Sequence, residues 1–445
     1  MRHPTHVDES GMATRSAVSE RSSMWNGTDY GWWLSADTAG TLAAGIADFA
    51  LPLITLSTTH SPELATLTET LLIGTQTILS IPGGVIQDRY DRKKLTILWG
   101  LCGALLFGGI AVLDGAGTLT WPLIIVMTLL LGVRAGLLGG ASNAMLRGLV
   151  PDESLPKALS LNSARDATVT LIGGPISSLL MTATRCLPMV LGALLNMIGA
   201  CCATRITRYW HRNDSDATHA GAFDDSQSAA PRFRDAFSGL AWMLTDRFQR
   251  RLILSASIAA GAGNAFLLIT TVDIAADDAH LVSAGFINAM AAAGMLVGSL
   301  IATLLIERVP SGTLIIGAFA IMGTGFVCAA LMPSPLAKAP FVMLSLIMLP
   351  AGSAAIGGLT NVLVGEDKLG RVGAASSLMQ YGAYAALSAI AGWALSHWGY
   401  TPTCMTLAIL VAIGAAAILT SRALTTMPTP RDWGTHIEHW HLSRF

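Results

Sequence analysis

The residues in this chain best placed to do chemistry are charges in apolar surroundings. Asp48 and Arg134 each lie deep in a stretch long enough to cross a bilayer as a helix, and Arg134 is 14 residues into its stretch, about 21 Å at the helical rise. An unpaired charge at that depth costs at least a few kcal/mol, so each must face a cavity or a partner. Arg165 and Asp166 form a second set, early in another stretch. Adjacent helical residues point about 100° apart, so these two are expected to reach different partners, in a structural or gating role. Asp37 and Glu69 stand near the ends of their stretches and read as interfacial. A third concentration, Asp88-Arg89-Tyr90-Asp91-Arg92-Lys93-Lys94, packs six charges into seven residues between two apolar segments.

Other chemistries lack their residues. There is no G-x-x-x-x-G-K-S/T phosphate cradle, so a proton gradient, rather than ATP, is the expected energy source. A membrane enzyme would cluster His, Asp or Glu near one membrane face, whereas the histidines here are scattered among tails and loops, so no enzyme and no cofactor are expected. His436, His439 and His441 resemble a loose metal tract but read as an exposed tail, and no metal is expected. The six cysteines, Cys102, Cys186, Cys201, Cys202, Cys328 and Cys404, lie in or beside apolar runs without ligand spacing and read as packing residues.

Positioning these charges requires membrane helices. Of 445 residues, 52% are hydrophobic and 12% charged, about half the charged share of a soluble domain. Such a chain cannot cover a water-facing surface, and its net charge of −1 gives no reason to expect nucleic acid as a partner. After a polar tail to about residue 30, apolar stretches lie near 31–57, 64–86, 95–113, 120–146, 158–183 and 186–206. Six more follow a polar segment, near 252–272, 281–306, 312–332, 339–364, 371–396 and 400–421. Each is close to the ~20 residues a spanning helix needs, and the first begins too late to be a cleaved signal peptide. The expected fold is therefore all-α, with twelve transmembrane helices. With both termini inside, the inner loops and tails hold nearly all the lysine and arginine and the outer loops only Arg185 and Lys338, which argues for cytoplasmic termini.

The two halves repeat. Leu149-Val150-Pro151-Asp152-Glu153-Ser154-Leu155-Pro156-Lys157 matches Leu363-Val364-Gly365-Glu366-Asp367-Lys368-Leu369-Gly370-Arg371 in the pattern L-V-x-acid-acid-x-L-x-base, and Asp88-Arg89 matches Glu307-Arg308 at a similar offset. A six-helix unit used twice gives two pseudo-symmetric bundles. The expected organisation is a tail at 1–30, bundles at 31–206 and 251–422, a linker at 207–250 and a second cytoplasmic tail at 423–445. In the linker, Phe233, Phe237, Leu240, Leu244 and Phe248 recur at helical spacing, as in an amphipathic helix lying on the inner membrane surface; the alternative is a solvated linker helix.

The loop Gly84-Val85-Ile86-Gln87-Asp88-Arg89-Tyr90-Asp91-Arg92-Lys93-Lys94 resembles the signature between helices 2 and 3 of the major facilitator superfamily of secondary transporters. With Asp91 where most of that family has Gly, it is similar to the branch of bacterial macrolide and siderophore (enterobactin-type) exporters. Gly45-Ile46-Ala47-Asp48-Phe49-Ala50-Leu51-Pro52, Leu149-Val150-Pro151 with Asn162-Ser163, and Leu369-Gly370-Arg371-Val372 extend the likeness over residues 31–396. The resemblance implies a gating motif of Gly84, Asp88, Arg89, Arg92, Lys93 and Lys94. Asp88 would pair with an arginine or a helix N-terminus to lock the halves on the cytoplasmic side, and the basic residues would hold anionic lipid; the alternative is a topology signal alone. In related drug exporters an acid in helix 1 and an arginine in helix 4 serve proton coupling, and Asp48 and Arg134 match by helix and depth. Such a pair exchanges a proton when substrate or conformation alters it; the alternative is a static buried ion pair. The chain departs from the family in the antiporter motif of helix 5, reduced to Gly173-Gly174-Pro175, and in the second-half loop, where Val309-Pro310-Ser311 replaces the basic run.

Substrate contacts are sought among polar groups of apolar stretches: Asn264, Asn288, Asn361, Gln380, Tyr381 and Tyr384, each of which could instead glue helices together. An aromatic and amide-lined cavity suits a bulky, amphipathic small molecule. The expectation is thus a monomeric, proton-coupled exporter of a drug, antibiotic or siderophore in the bacterial inner membrane, with protons, lipid and a small-molecule substrate as partners. An importer of another solute, or a transport-dead sensor on the same scaffold, are the alternatives.

Overall fold

Helix starts follow local capping chemistry. Ser61 caps the helix begun by Pro62, its side chain accepting from Leu64 N, and Asp91, Asp246 and Ser334 accept in the same way from Lys93, Gln249 and Ala337. The computed structural model describes residues 29–150, 155–207, 240–364 and 368–440. Its first-half helices are α1 (Tyr30–Thr59), α2 (Pro62–Arg89), α3 (Arg92–Gly115), α4 (Trp121–Leu138), α5 (Ala141–Leu149), α6 (Leu155–Ala183) and α7 (Leu187–Thr204). The second half has α8 (Arg247–Ala275), α9 (Leu281–Arg308), α10 (Ser311–Leu331), α11 (Pro335–Ile347), α12 (Leu349–Leu363), α13 (Leu369–Trp398) and α14 (Tyr400–Leu419). Two short helices, α15 (Arg422–Thr425) and α16 (Trp433–His439), follow.

Taken with α4–α5 and α11–α12 as single crossings, the described residues form twelve spans, and the protein is an all-helical integral membrane protein. Ten of these spans are long and apolar enough to cross a membrane by length and composition; α6 and α13, the fifth and eleventh, are not among those ten. The fourth and tenth apolar stretches are each broken, where the sequence suggests continuous helices. Gly139-Gly140 separates α4 from α5, and α11 ends before Pro350, whose ring lacks an N–H and crowds the carbonyl one turn earlier.

Neighbour relations repeat with an offset of six spans. The first span packs on the fifth and sixth (α1 on α6 and α7), and the seventh on the eleventh and twelfth (α8 on α13 and α14). The third packs on the sixth as the ninth on the twelfth, and the second on the fourth as the eighth on the tenth. The two largest contacts between the bundles are α2 with α13 and α6 with α9, and the same pseudo-two-fold exchanges them; α8 also touches α1 and α2. The start of α1 and the end of α14 lie on what we call the terminal face, and the α1–α2 turn on the distal face. At the distal face each bundle has one charged clasp: Arg185 to Asp114 at 3.0 Å, and Lys338 to Asp273 at 3.0 Å. Lys338 also lies 3.7 Å from the Tyr400 ring centroid.

The C-terminal segment is docked where the sequence suggests an exposed tail. Trp433 is 6% exposed, its Nε1 donating to Ser311 Oγ and Pro428 O, and Ile437 is 2% exposed. His436 Nε2 bonds Ala423 O at 2.9 Å, so that ring serves packing; His439 is exposed and His441 lies outside the described residues. Most of the expected linker helix is likewise outside them. Its described end, residues 240–245, is helical, with Met243 buried against Ile253, Val364, Val372 and Ala375. Phe248 belongs to α8, in its first turn.

Candidate functional site between and within the bundles

The distal half of the bundle interface is closed by direct contact. Between described residues three hydrogen bonds cross it: Glu63 N to Ser396 Oγ (3.0 Å), Thr70 Oγ1 to Ala385 O (3.2 Å) and Tyr384 OH to Glu69 Oε1 (3.0 Å). Glycines let the helices approach. A Cβ at Gly392 would strike the Thr66 side chain and one at Gly285 the Ser178 hydroxyl. Toward the terminal face, Ile78 of α2 is 69% and Tyr381 of α13 53% exposed.

Asp48 is exposed although its neighbours Ala47 and Phe49 are buried, and it lies within electrostatic reach of Glu69 and Tyr384. It therefore looks into the space between the bundles. Glu69 is 5% exposed, and its Oε2 has no hydrogen-bond partner. The sequence places Glu69 near a helix end; in the fold it is a buried acid joined to the opposite bundle. Thr66, Thr68 and Thr70 around it are a run of polar residues inside an apolar stretch, and that signal marks the site.

Arg134 is not brought to Asp48. It is 7% exposed, its Nε donates to Trp99 O (2.8 Å), its Nη2 donates to Asn196 Oδ1 (2.6 Å), and the guanidinium lies 3.7 Å from the Trp99 ring centroid. Asn196 in turn donates to Gly192 O. Arg134 thus ties α4 to α3 and α7, and the expectation that it pairs with Asp48 is corrected: its Nε and Nη2 are turned to Trp99 and Asn196.

Arg165 also differs from expectation. Instead of reaching separate partners, it bonds the adjacent Asp166 (2.7 Å) and reaches Asp37 on α1 (2.6 Å). The long guanidinium arm spans both carboxylates, so residues pointing apart at Cα meet at their tips. This triad borders a cavity of about 280 Å³ with Thr41, Trp99, Ser142 and Asn143. Asp37, read as interfacial, is the member that ties α1 to α6.

In the C-terminal bundle a cavity of about 230 Å³ is lined by apolar Ile253, Phe319 and Met322 and by polar Thr360, Asn361 and Gln380. Of the six substrate candidates, Asn361 and Gln380 line it. Asn288 donates to Thr271 Oγ1 and Ala284 O, Asn264 bonds Ala260 O in its own helix, and Tyr384 belongs to the Glu69 contact.

A bundle of six spans used twice, its largest joins related by symmetry, is a shared architecture, and the family model named Major Facilitator Superfamily matches residues 38–386. The chain belongs to the Major Facilitator Superfamily. Among solved structures, it is similar to the nucleoside transporter NupG (12% identity, TM-score 0.69, covering 88% of this chain and 98% of that one). It is also similar to a bacterial homologue of the iron transporter ferroportin in its inward-facing state (16%, 0.63, 87% and 98%). A POT family transporter in complex with a thioalcohol-conjugated peptide gives 11% identity and a TM-score of 0.64, over 88% and 95%. No curated protein matches in sequence.

Within this superfamily chain, the signature loop is the short turn between α2 and α3. Asp91 is 3% exposed and caps α3, accepting from Lys93 N at 2.8 Å. Arg89 and Lys94 are exposed, and Arg92 and Lys93 are half-buried. The Asp88 side chain lies outside the described residues. A Cβ at Gly84 would meet open space, whereas one at Gly83 would strike the backbone of Gly136, so the close helix approach falls one residue before the signature position.

Proposed function

We propose that this superfamily member is a secondary transporter that works by alternating access, exporting a bulky, amphipathic small molecule in exchange for protons. The observation that carries this reading is the asymmetry of the bundle interface: its direct bonds lie in the distal half, where Asp48 and Glu69 sit. In this reading the termini are cytoplasmic, the state is inward-facing, and the bundles rock about the α2–α13 and α6–α9 contacts to open distally. The C-terminal cavity, apolar with a few amides and hydroxyls, supplies a subsite for an amphipathic ligand. The similar structures carry nucleosides, iron and peptides in their names, so the cargo is read from the cavity instead of the fold.

Purified protein in proteoliposomes tests the proposal. With the interior acidic, an amphipathic cationic dye is expected to accumulate, and the accumulation should collapse when a protonophore removes the gradient. Flux that ignores the pH gradient would overturn proton exchange, and absence of any flux across a chemically varied panel would overturn transport.

A further inference from the structure

We propose that Tyr384 and Glu69 form the latch of the distal gate, and that the charge on Glu69, shared in effect with Asp48 beside it, decides whether the latch closes. The inference rests on the alternating-access reading. Between described residues, Tyr384 OH to Glu69 Oε1 is the one side chain to side chain hydrogen bond that joins the bundles. Glu69 is buried, with Oε2 unpartnered.

Among the described residues, no positive group faces it from any helix packed against α2. From α1 comes Asp48, and from α13 Tyr384, with Tyr381 exposed and His397 bonded to Trp393 O. On α4, Arg134 is turned to Trp99 and Asn196. Asp114 of α3 is held by Arg185, and Asp273 of α8 by Lys338. The remaining bases of these helices, Arg92, Lys93 and Lys94 on α3, Arg247, Arg250 and Arg251 on α8, and Arg371 on α13, lie in first turns at the terminal end.

Closing the distal gate carries Glu69 out of water into this site. A neutral carboxyl keeps the Tyr384 bond and loses little hydration. A carboxylate loses its hydration beside Asp48 with no countercharge, a cost that one hydrogen bond does not return. Closure therefore takes a proton from distal water onto Glu69, and that proton leaves by exchange with Asp48 toward the terminal side before the gate reopens. That is the order an exporter driven by inward proton movement needs.

Spin labels at Glu63→Cys and Trp398→Cys, in full-length protein without its six native cysteines and reconstituted in nanodiscs, read the gate directly by pulsed dipolar spectroscopy. No substrate is needed, so this test and the transport test fail separately. As pH falls, the short-distance population should grow in the parent. Glu69→Gln, which keeps an acceptor for Tyr384 and cannot ionise, should stay short at every pH. Glu69→Asp, which still titrates, should keep the response, and Tyr384→Phe should favour the long distance at every pH while still responding. A parent distribution independent of pH, or a Glu69→Gln variant that follows the parent's curve, would overturn the proposal.

Discussion

In the N-terminal bundle the interior holds Asp48, Glu69 and Arg134 at membrane depth, with Asp37, Arg165 and Asp166 nearer the terminal face. At equivalent depth the C-terminal bundle has Asn264, Asn288, Asn361 and Gln380, and among the described residues its one buried ion pair, Lys338 with Asp273, sits at the distal end. The two bundles share neighbour relations and broken fourth and tenth spans, so the difference does not come from the backbone. Under the proposed function, one copy of the repeat supplies the charges that move protons, and the other the amides and apolar walls that hold an organic molecule. Because charge in a bilayer is expensive, the proposed function would have one bundle present a neutral surface to cargo while coupling passes through a few contacts such as Tyr384 to Glu69.

That division can be broken most severely at Arg134. Replacing it with Leu leaves the Asn196 amide and Trp99 carbonyl without their donor in a buried site, with an expected loss of about 2–4 kcal/mol. Thermal unfolding in detergent should show a clear drop in midpoint. If the fold is unaffected and only the pH dependence of transport moves, Arg134 belongs with the coupling groups after all.

The distal clasps give a smaller, graded contrast. Lys338→Met removes a buried bond and an aromatic contact, an expected cost of about 1–2 kcal/mol. Arg185→Met removes a pair whose base is 45% exposed, worth about 0–1 kcal/mol. Equal melting shifts would contradict the burial argument. Smallest of all, Asn361→Ala or Gln380→Ala should weaken cargo binding by about 2- to 10-fold, as loss of one neutral hydrogen bond does, and leave stability and proton dependence alone. Calorimetric titration of a transported dye measures it, and a change in coupling instead would blur the division between bundles.

Much of this was legible in the sequence, for identifiable reasons. Spanning length, the asymmetry of lysine and arginine and the repeated L-V-x-acid-acid pattern come from membrane physics that acts locally, and they lead to twelve helices in two bundles. The depths of Asp48 and Arg134 follow from counting along a helix. Partnerships do not, because they depend on which way each helix turns. Arg134 is turned toward Asn196 and Trp99, two residues with no charge to advertise them. Glu69 reads as interfacial because it stands near the start of the stretch at 64–86, whereas the fold buries it against Tyr384 of the opposite bundle. Trp433 docks through its bond to Ser311 at the α10 start, and Ile437 is buried in the same apolar core, which no local pattern announces.

The central claim, that coupling resides in the N-terminal bundle and is separable from cargo recognition, is tested most directly on Asp48→Asn in proteoliposomes. Two fluxes of one labelled dye are compared in the same preparation: accumulation driven by a pH gradient, and counterflow exchange with no gradient. If the claim holds, accumulation falls to the protein-free level while exchange stays near that of the parent. Gradient-driven accumulation equal to the parent's, or loss of both fluxes in a folded variant, would contradict it.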